Sequence, residues 1–103
     1  MKKYGLHGKL TATAKNRQQL VSILLEASKL VSTASGCRLY LVSEDQKNND
    51  SIWVTEVWDT KEDHDNALKQ ENVRALITKA MPLIAGQPEG GQVFTVLGGA
   101  GID

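Results

Sequence analysis

The sequence predicts an α+β fold in which an antiparallel sheet carries helices on one of its faces. Three observations predict it. Strand-type and helix-type periodicities alternate along the chain, two aromatic and β-branched stretches flank a polar turn, and a long apolar stripe at helical spacing separates the first strand from that pair.

Taken in order, "KYGLHGKLTAT" from Lys3 to Thr13 alternates Tyr4, Leu6, Leu10 and Ala12 with Lys3, His7, Lys9 and Thr11. That is the period of two of a half-buried strand, which its two glycines weaken without breaking. Asn16, with Gln19 three residues on, supplies a loose capping box for a helix. Leu20, Ile23, Leu24, Ala27, Leu30, Val31 and Ala34 then recur at steps of three and four, and Ser35-Gly36 is expected to stop the helix.

"CRLYLVSE" and "SIWVTEVW", joined by the polar "DQKNND", read as two strands of a hairpin with a loop too long for a two-residue turn. Thr60 and Asp63 form a second capping signal for a short helix over Lys61 to Lys69. "QEN" interrupts the pattern before Val73, Leu76, Ile77 and Ala80 resume it, and Pro82 ends or bends that second piece. "GQPEGGQ" is expected to be loop, "VFTVL" the last strand, and "GGAGID" a flexible tail from about residue 98.

Strand, helix, strand, strand, helix, strand is the split βαβ order of ferredoxin-like domains, βαββαβ, and it leaves one sheet face without helices. That face is not strongly polar, because the middle strands offer apolar side chains at both parities: Leu39 and Leu41 against Tyr40 and Val42, Ile52 and Val54 against Trp53 and Val57. A second copy of the chain is the simplest cover, so a homodimer is expected.

Composition limits the function classes. The 103 residues suit one domain, 1–103, and 12 basic against 12 acidic residues cancel without segregating, which argues against nucleic acid as a partner. Two lysines near the start precede no apolar stretch, and no run is long enough to span a bilayer, so no membrane partner is expected. The single cysteine, Cys37, cannot form an internal disulfide and has no metal-spaced companions. The chain therefore reads as a soluble cytoplasmic protein with no metal. "EGGQ" and "LGGAGI" are not phosphate loops, because no helix follows either to supply free amides.

Four quoted segments carry a family resemblance: "GKLTA" on the first strand, "GCRLYLVSED" on the second, "WVTEVWDTKEDHD" from the third strand into the short helix, and "PLIAG". Their order and spacing over almost the whole chain resemble the antibiotic biosynthesis monooxygenase family, including its quinol monooxygenase type. The resemblance implies a ferredoxin-like monomer whose sheets pair into a dimeric α+β barrel. It also implies a small-molecule pocket and, in some members, oxidation of quinols or polyphenols by molecular oxygen with no cofactor. Glu56 and Trp58 match the "E-V-W" that ends the family's third strand. Where many members carry a histidine on the short helix, this chain has Ala67. The residues that heme degraders use are absent near Leu6 and His7, at Ala67 and at Ile77, so heme degradation is not expected.

The candidate catalytic residues are Glu56 and His64. Glu56 shares strand parity with Ile52, Val54 and Trp58, and desolvation there raises a carboxyl's pKa towards the range useful for proton transfer; pairing with Arg38, Lys9 or a hydroxyl is the structural alternative. Histidine, with an ordinary pKa of about 6.5, needs little tuning to act as a base, although "KEDHDN" is also what a solvated first helical turn looks like.

Trp58, Tyr40, His7 and Arg74 are candidate substrate-binding residues. Trp58 offers an aromatic wall, Tyr40 a hydroxyl donor and Arg74 a cation beside the helix break, while His7 points away from the apolar parity towards the expected interface. Trp53 and Trp58, five residues apart, fall on opposite faces. The expected activity is a cofactor-independent oxidation of a small aromatic by molecular oxygen. The alternatives are a non-catalytic dimeric small-molecule-binding or stress-response protein, and an isomerase-like enzyme that needs only the base.

Overall fold

A computed structural model describes residues 2–86 and 89–102. Gln87 and Pro88 of the expected loop, and Asp103 of the expected flexible tail, lie outside the described residues. In chain order the elements are β1 (Lys3–Thr11), α1 (Arg17–Val31), β2 (Cys37–Glu44), β3 (Ser51–Trp58), α2 (Lys61–Leu68), α3 (Glu71–Ala80), a 3-10 turn (Met81–Leu83) and β4 (Glu89–Val96). Among the described residues the strands form one antiparallel sheet in the order β2-β3-β1-β4, the ferredoxin-like topology. No helix among them is long and apolar enough to cross a membrane.

Pairing sorts the side chains onto two faces. Tyr4 lies opposite Trp58, Leu6 opposite Glu56 and Leu10 opposite Ile52, and Tyr40 and Val42 face Glu56 and Val54 from the other side. This is the face that the helices cover. Leu20, Leu24 and Ala80 close over Ile52 and Ala12 at one end, while Val31, Ala67 and Val73 close over Trp58 at the other. The opposite face carries Lys9 with Trp53, His7 with Thr55, and Leu41.

Both middle strands and the break between α2 and α3 fall where the sequence places them, and the Thr60 cap forms, its Oγ1 accepting from the Asp63 amide at 3.0 Å. Several details differ. Helix α1 ends at Val31, before Ser35-Gly36, because the Ser32 and Thr33 hydroxyls donate to the last-turn carbonyls of Lys29 and Leu30 and the chain turns there. Gly36 (φ 83°) then redirects it into β2. The capping box at Asn16 does not form, since its amide donates instead to Thr13 Oγ1 at 2.7 Å.

Strand β4 begins at Glu89, so "EGGQ" is strand and not loop. Gln92 pairs with His7 and Glu89 with Lys9 across a register shift, which holds this stretch in the sheet although its sequence carries no period of two. The first strand stops at Thr11, with Ala12 making only a single bridge to Ile84. A register shift between Cys37 and Leu39 takes Arg38 out of step with Tyr40. Its guanidinium grips Asp59 through two bonds, Nε to Oδ1 at 2.8 Å and Nη2 to Oδ2 at 3.1 Å.

Candidate functional site

Between the sheet and the helices lies a cavity of about 220 Å³. Its walls come from α1, α2, α3 and the covered sheet face, and Tyr40, Glu56 and Trp58 are its only described lining residues with polar side-chain atoms. The exposed Leu68, Ile77 and Met81 border it, so the helical walls stay apolar out to the surface. A second hollow of about 270 Å³ opens on the β1–β4 side and shares Leu10, Leu24, Tyr40 and Glu56 with the first. Gly8 and Gly91 line this hollow and, having no side chains, leave it space. The Glu56 carboxyl therefore stands where two hollows meet.

Strand parity places the Trp58 indole beside Glu56, and its Nε1 donates to Glu56 Oε1 at 3.0 Å. Oε2 has no hydrogen-bond donor among the described residues, and neither does the Tyr40 hydroxyl have a partner there. Burial holds the Glu56 carboxyl above the ordinary carboxylate range, against the opposing pull of the Trp58 N–H and of His64. Burial, and then the Glu56 charge, raise the Tyr40 phenol well above its usual value. The same two causes raise the Cys37 thiol, which packs near Tyr40 as a small apolar group. Tyr40 is thus held as a neutral O–H donor next to a carboxyl whose proton is bound more tightly than an exposed carboxyl's.

Helix α2 brings His64 behind this pair. Its Nε2 lies 3.9 Å from Glu56 Oε1, and its ring packs edge-on to Trp58 (5.8 Å between centroids) and against Tyr4 (5.6 Å). Only 13% of the His64 side chain and 15% of Glu56 are exposed, which makes both interior groups. On its other side His64 Nδ1 lies 2.9 Å from Asp65 Oδ1, and Lys61 Nζ lies 2.7 Å from Asp65 Oδ2.

The structure brings Glu56, His64, Trp58 and Tyr40 together. It does not bring His7 or Arg74 to them. His7 lies on the opposite sheet face, stacked on Trp53 (4.7 Å, 10° between planes) with Nδ1 2.9 Å from Thr55 Oγ1. Arg74 is exposed on α3 beside Lys69, Glu71 and Thr78, around a separate shallow hollow.

Sequence reasoning missed Asp65 and Tyr4 as neighbours of His64. For Asp65 the signal was the His-Asp pair itself, which the acidic helix start masked. Tyr4 has no such local signal, since only strand pairing brings it across to Trp58. Among the described residues no three His, Cys, Asp or Glu side chains converge to hold a metal.

The sequence model of the antibiotic biosynthesis monooxygenase family matches residues 4–79. Among solved structures, a protein from Chloroflexus aurantiacus J-10-fl assigned by name to the same family is 40% identical, with a TM-score of 0.89 and coverage of 98% of this chain and 99% of that one. A similarly assigned protein from Deinococcus radiodurans is 26% identical, with a TM-score of 0.75 over 97% and 96% of the two chains. SnoaB, a cofactor-independent oxygenase from Streptomyces nogalater, shares the fold at 13% identity, with a TM-score of 0.80 over 97% and 98%. No curated protein matches the chain in sequence.

Proposed function

The chain belongs to the antibiotic biosynthesis monooxygenase family, and from that membership we propose that it is a cofactor-independent monooxygenase which oxidises a quinol or related small aromatic with molecular oxygen. The observation that carries this reading is the pair of polar groups with open valences in an otherwise apolar cavity, Glu56 Oε2 and the Tyr40 hydroxyl.

A flat phenolic ring fits apolar walls, and its hydroxyl meets both groups. Glu56 takes the phenolic proton, while the Tyr40 O–H donates to the oxygen that becomes negative. The phenolate then passes one electron to oxygen, giving a phenoxyl radical and superoxide. Their recombination forms a carbon–oxygen bond at a ring carbon that carries hydrogen, the proton held by the protein returns to the peroxide, and breaking the O–O and C–H bonds releases water and leaves the quinone. A ligand bearing a carboxylate or phosphate is disfavoured, because no cation lines this cavity among the described residues.

The assembly belongs to the same proposal: two copies pair through the sheet faces that carry no helices. Leu41 (49% exposed) and Phe94 (46% exposed), together with the Trp53–His7 stack, support an interface there.

A non-catalytic ligand-binding role is the second reading. Its support is that Trp58 already satisfies Glu56 Oε1, as it would for a structural carboxyl. Oxygen consumption with a panel of hydroquinones separates the two. The enzyme consumes oxygen in proportion to the quinol and loses turnover in Glu56→Gln, whereas a binding protein saturates with the quinol and consumes none.

A further inference from the structure

Glu56, His64 and Asp65 lie in line from the cavity to the surface. The carboxyl opens into the cavity, the imidazole is interior, and Asp65 is 41% exposed. Asp65 is held as a carboxylate by the Lys61 ammonium and by His64. A carboxylate can only accept, so the imidazole nitrogen facing it must carry the hydrogen: Nδ1–H donates to Asp65 Oδ1. In the neutral ring that leaves a lone pair on Nε2, the nitrogen 3.9 Å from Glu56 Oε1. The competing carboxyl, Glu56, stands beyond hydrogen-bond distance of Nε2, and Tyr4 from β1 and Trp58 from β3 meet the ring as aromatic neighbours.

We propose that Asp65 is a positioning residue that fixes the His64 tautomer, so that His64 receives at Nε2 the proton that Glu56 takes up in the cavity. The proposal rests on the proton-transfer reading of Glu56 and extends it. The bookkeeping is a single proton. The ligand O–H bond breaks as an O–H bond forms at Glu56 Oε2, the oxygen open to the cavity. The carboxyl then turns about its Cγ–Cδ bond, its O–H bond breaks as an Nε2–H bond forms on His64, and the imidazolium keeps its Nδ1–H bond to Asp65. A shift of about one ångström closes the gap to hydrogen-bond distance. As the carboxyl turns, the Trp58 Nε1–H passes to its other oxygen, and the apolar cavity does not have to exchange the proton itself.

The direct test is nitrogen-15 NMR of the imidazoles in the full chain at a pH where His64 is neutral. His64 is expected as the Nδ1–H tautomer in the wild type and in Lys61→Met, which keeps Asp65 but removes its cation. In Asp65→Ala it is expected to shift to a mixture or to the Nε2–H form. An Nε2–H wild type, or an unchanged tautomer in Asp65→Ala, overturns the proposal. Where a hydroquinone is turned over, Asp65→Ala is expected to lower kcat about tenfold with little change in KM, within the range of general acid–base effects; an unchanged kcat also overturns it. The NMR result does not depend on oxygenase activity, so an absence of oxygen uptake would count against the proposed reaction alone.

Discussion

Trp58 donates its indole N–H to Oε1 of Glu56, two residues earlier on the same face of β3, and so ties the buried carboxyl to the best-buried aromatic side chain of the sheet. One oxygen is held and the other is left open to the cavity. Replacing Trp58 by phenylalanine keeps an aromatic wall but removes the donor and part of the ring. The expected cost is about 2 to 3 kcal/mol, from a charge-assisted hydrogen bond and a small void. Urea unfolding should show a larger loss at pH 8 than at pH 5, because the carboxylate form of Glu56 is the one that loses its donor.

The pH dependence of stability has opposite signs on its two sides. Burial raises the Glu56 carboxyl above 4.5, so between that value and the raised one the folded protein binds more protons than the unfolded chain. Stability on account of Glu56 therefore falls as pH rises through that window. Asp45, lowered from 3.8 to about 2 chiefly by the Trp53 N–H, contributes stability above 3.8 that is lost as pH falls towards 2. Thermal melts from pH 2 to 9 should show Glu56→Gln flattening the decline above pH 4.5 while leaving the acid limb unchanged. A variant with the wild-type slope on both sides contradicts the placement of Glu56.

Ser51 is fully buried, and its hydroxyl has no hydrogen-bond partner among the described residues. An unpaired buried hydroxyl costs about 1 to 3 kcal/mol, and alanine removes it at the expense of one small atom. Ser51→Ala is expected to raise stability by up to about 1 kcal/mol, about 4 to 8 °C in Tm for a domain of this size. Calorimetry checks this, and a lower Tm would show that the hydroxyl is satisfied.

Two glycines should respond in opposite ways to alanine. At Gly36 the backbone has φ 83° and an added Cβ would strike the Asp63 carboxyl in the first turn of α2, so Gly36→Ala is expected to cost about 1 to 3 kcal/mol. At Gly91 an added Cβ meets Leu6 Cδ2 at an ordinary 3.5 Å, within the hollow beside Glu56. Gly91→Ala should leave stability equal or improved by about 0.4 to 1 kcal/mol, while weakening any ligand that fills that hollow. Denaturant unfolding and quinol titration together read both effects.

Most of the fold was legible because it rests on periodicity. The alternation in Ile52–Trp58 set which face Glu56 shares, and Thr60 with Asp63 marked the start of α2. What the sequence hid depends on backbone pairing or on contacts between distant elements. Strand β4 starts in glycines that carry no pattern, and the register shift at Cys37 sends Arg38 to Asp59 where simple parity aligned it with Tyr40. In the site, parity put Glu56 and Trp58 on one face, and the pairing of β2 with β3 set Tyr40 opposite Glu56. His64 was ambiguous because acidic neighbours suit both a helix start and a base, and only the packing of α2 turns its ring inward. Parity had already turned His7 to the face without helices, where pairing puts it, while Arg74 was chosen for its chemistry and lies on the exposed side of α3.

Oxygen uptake by the purified chain with hydroquinones of graded size, wild type beside Glu56→Gln, tests directly whether Glu56 is the base of an oxygenase. The wild type is expected to consume oxygen only with quinol and to form quinone in step, and a Glu56→Gln variant that remains folded to lose about 10²-fold or more in kcat. Turnover undiminished in that variant would contradict Glu56 as the base, and saturable quinol binding with no oxygen consumed would contradict the oxygenase itself.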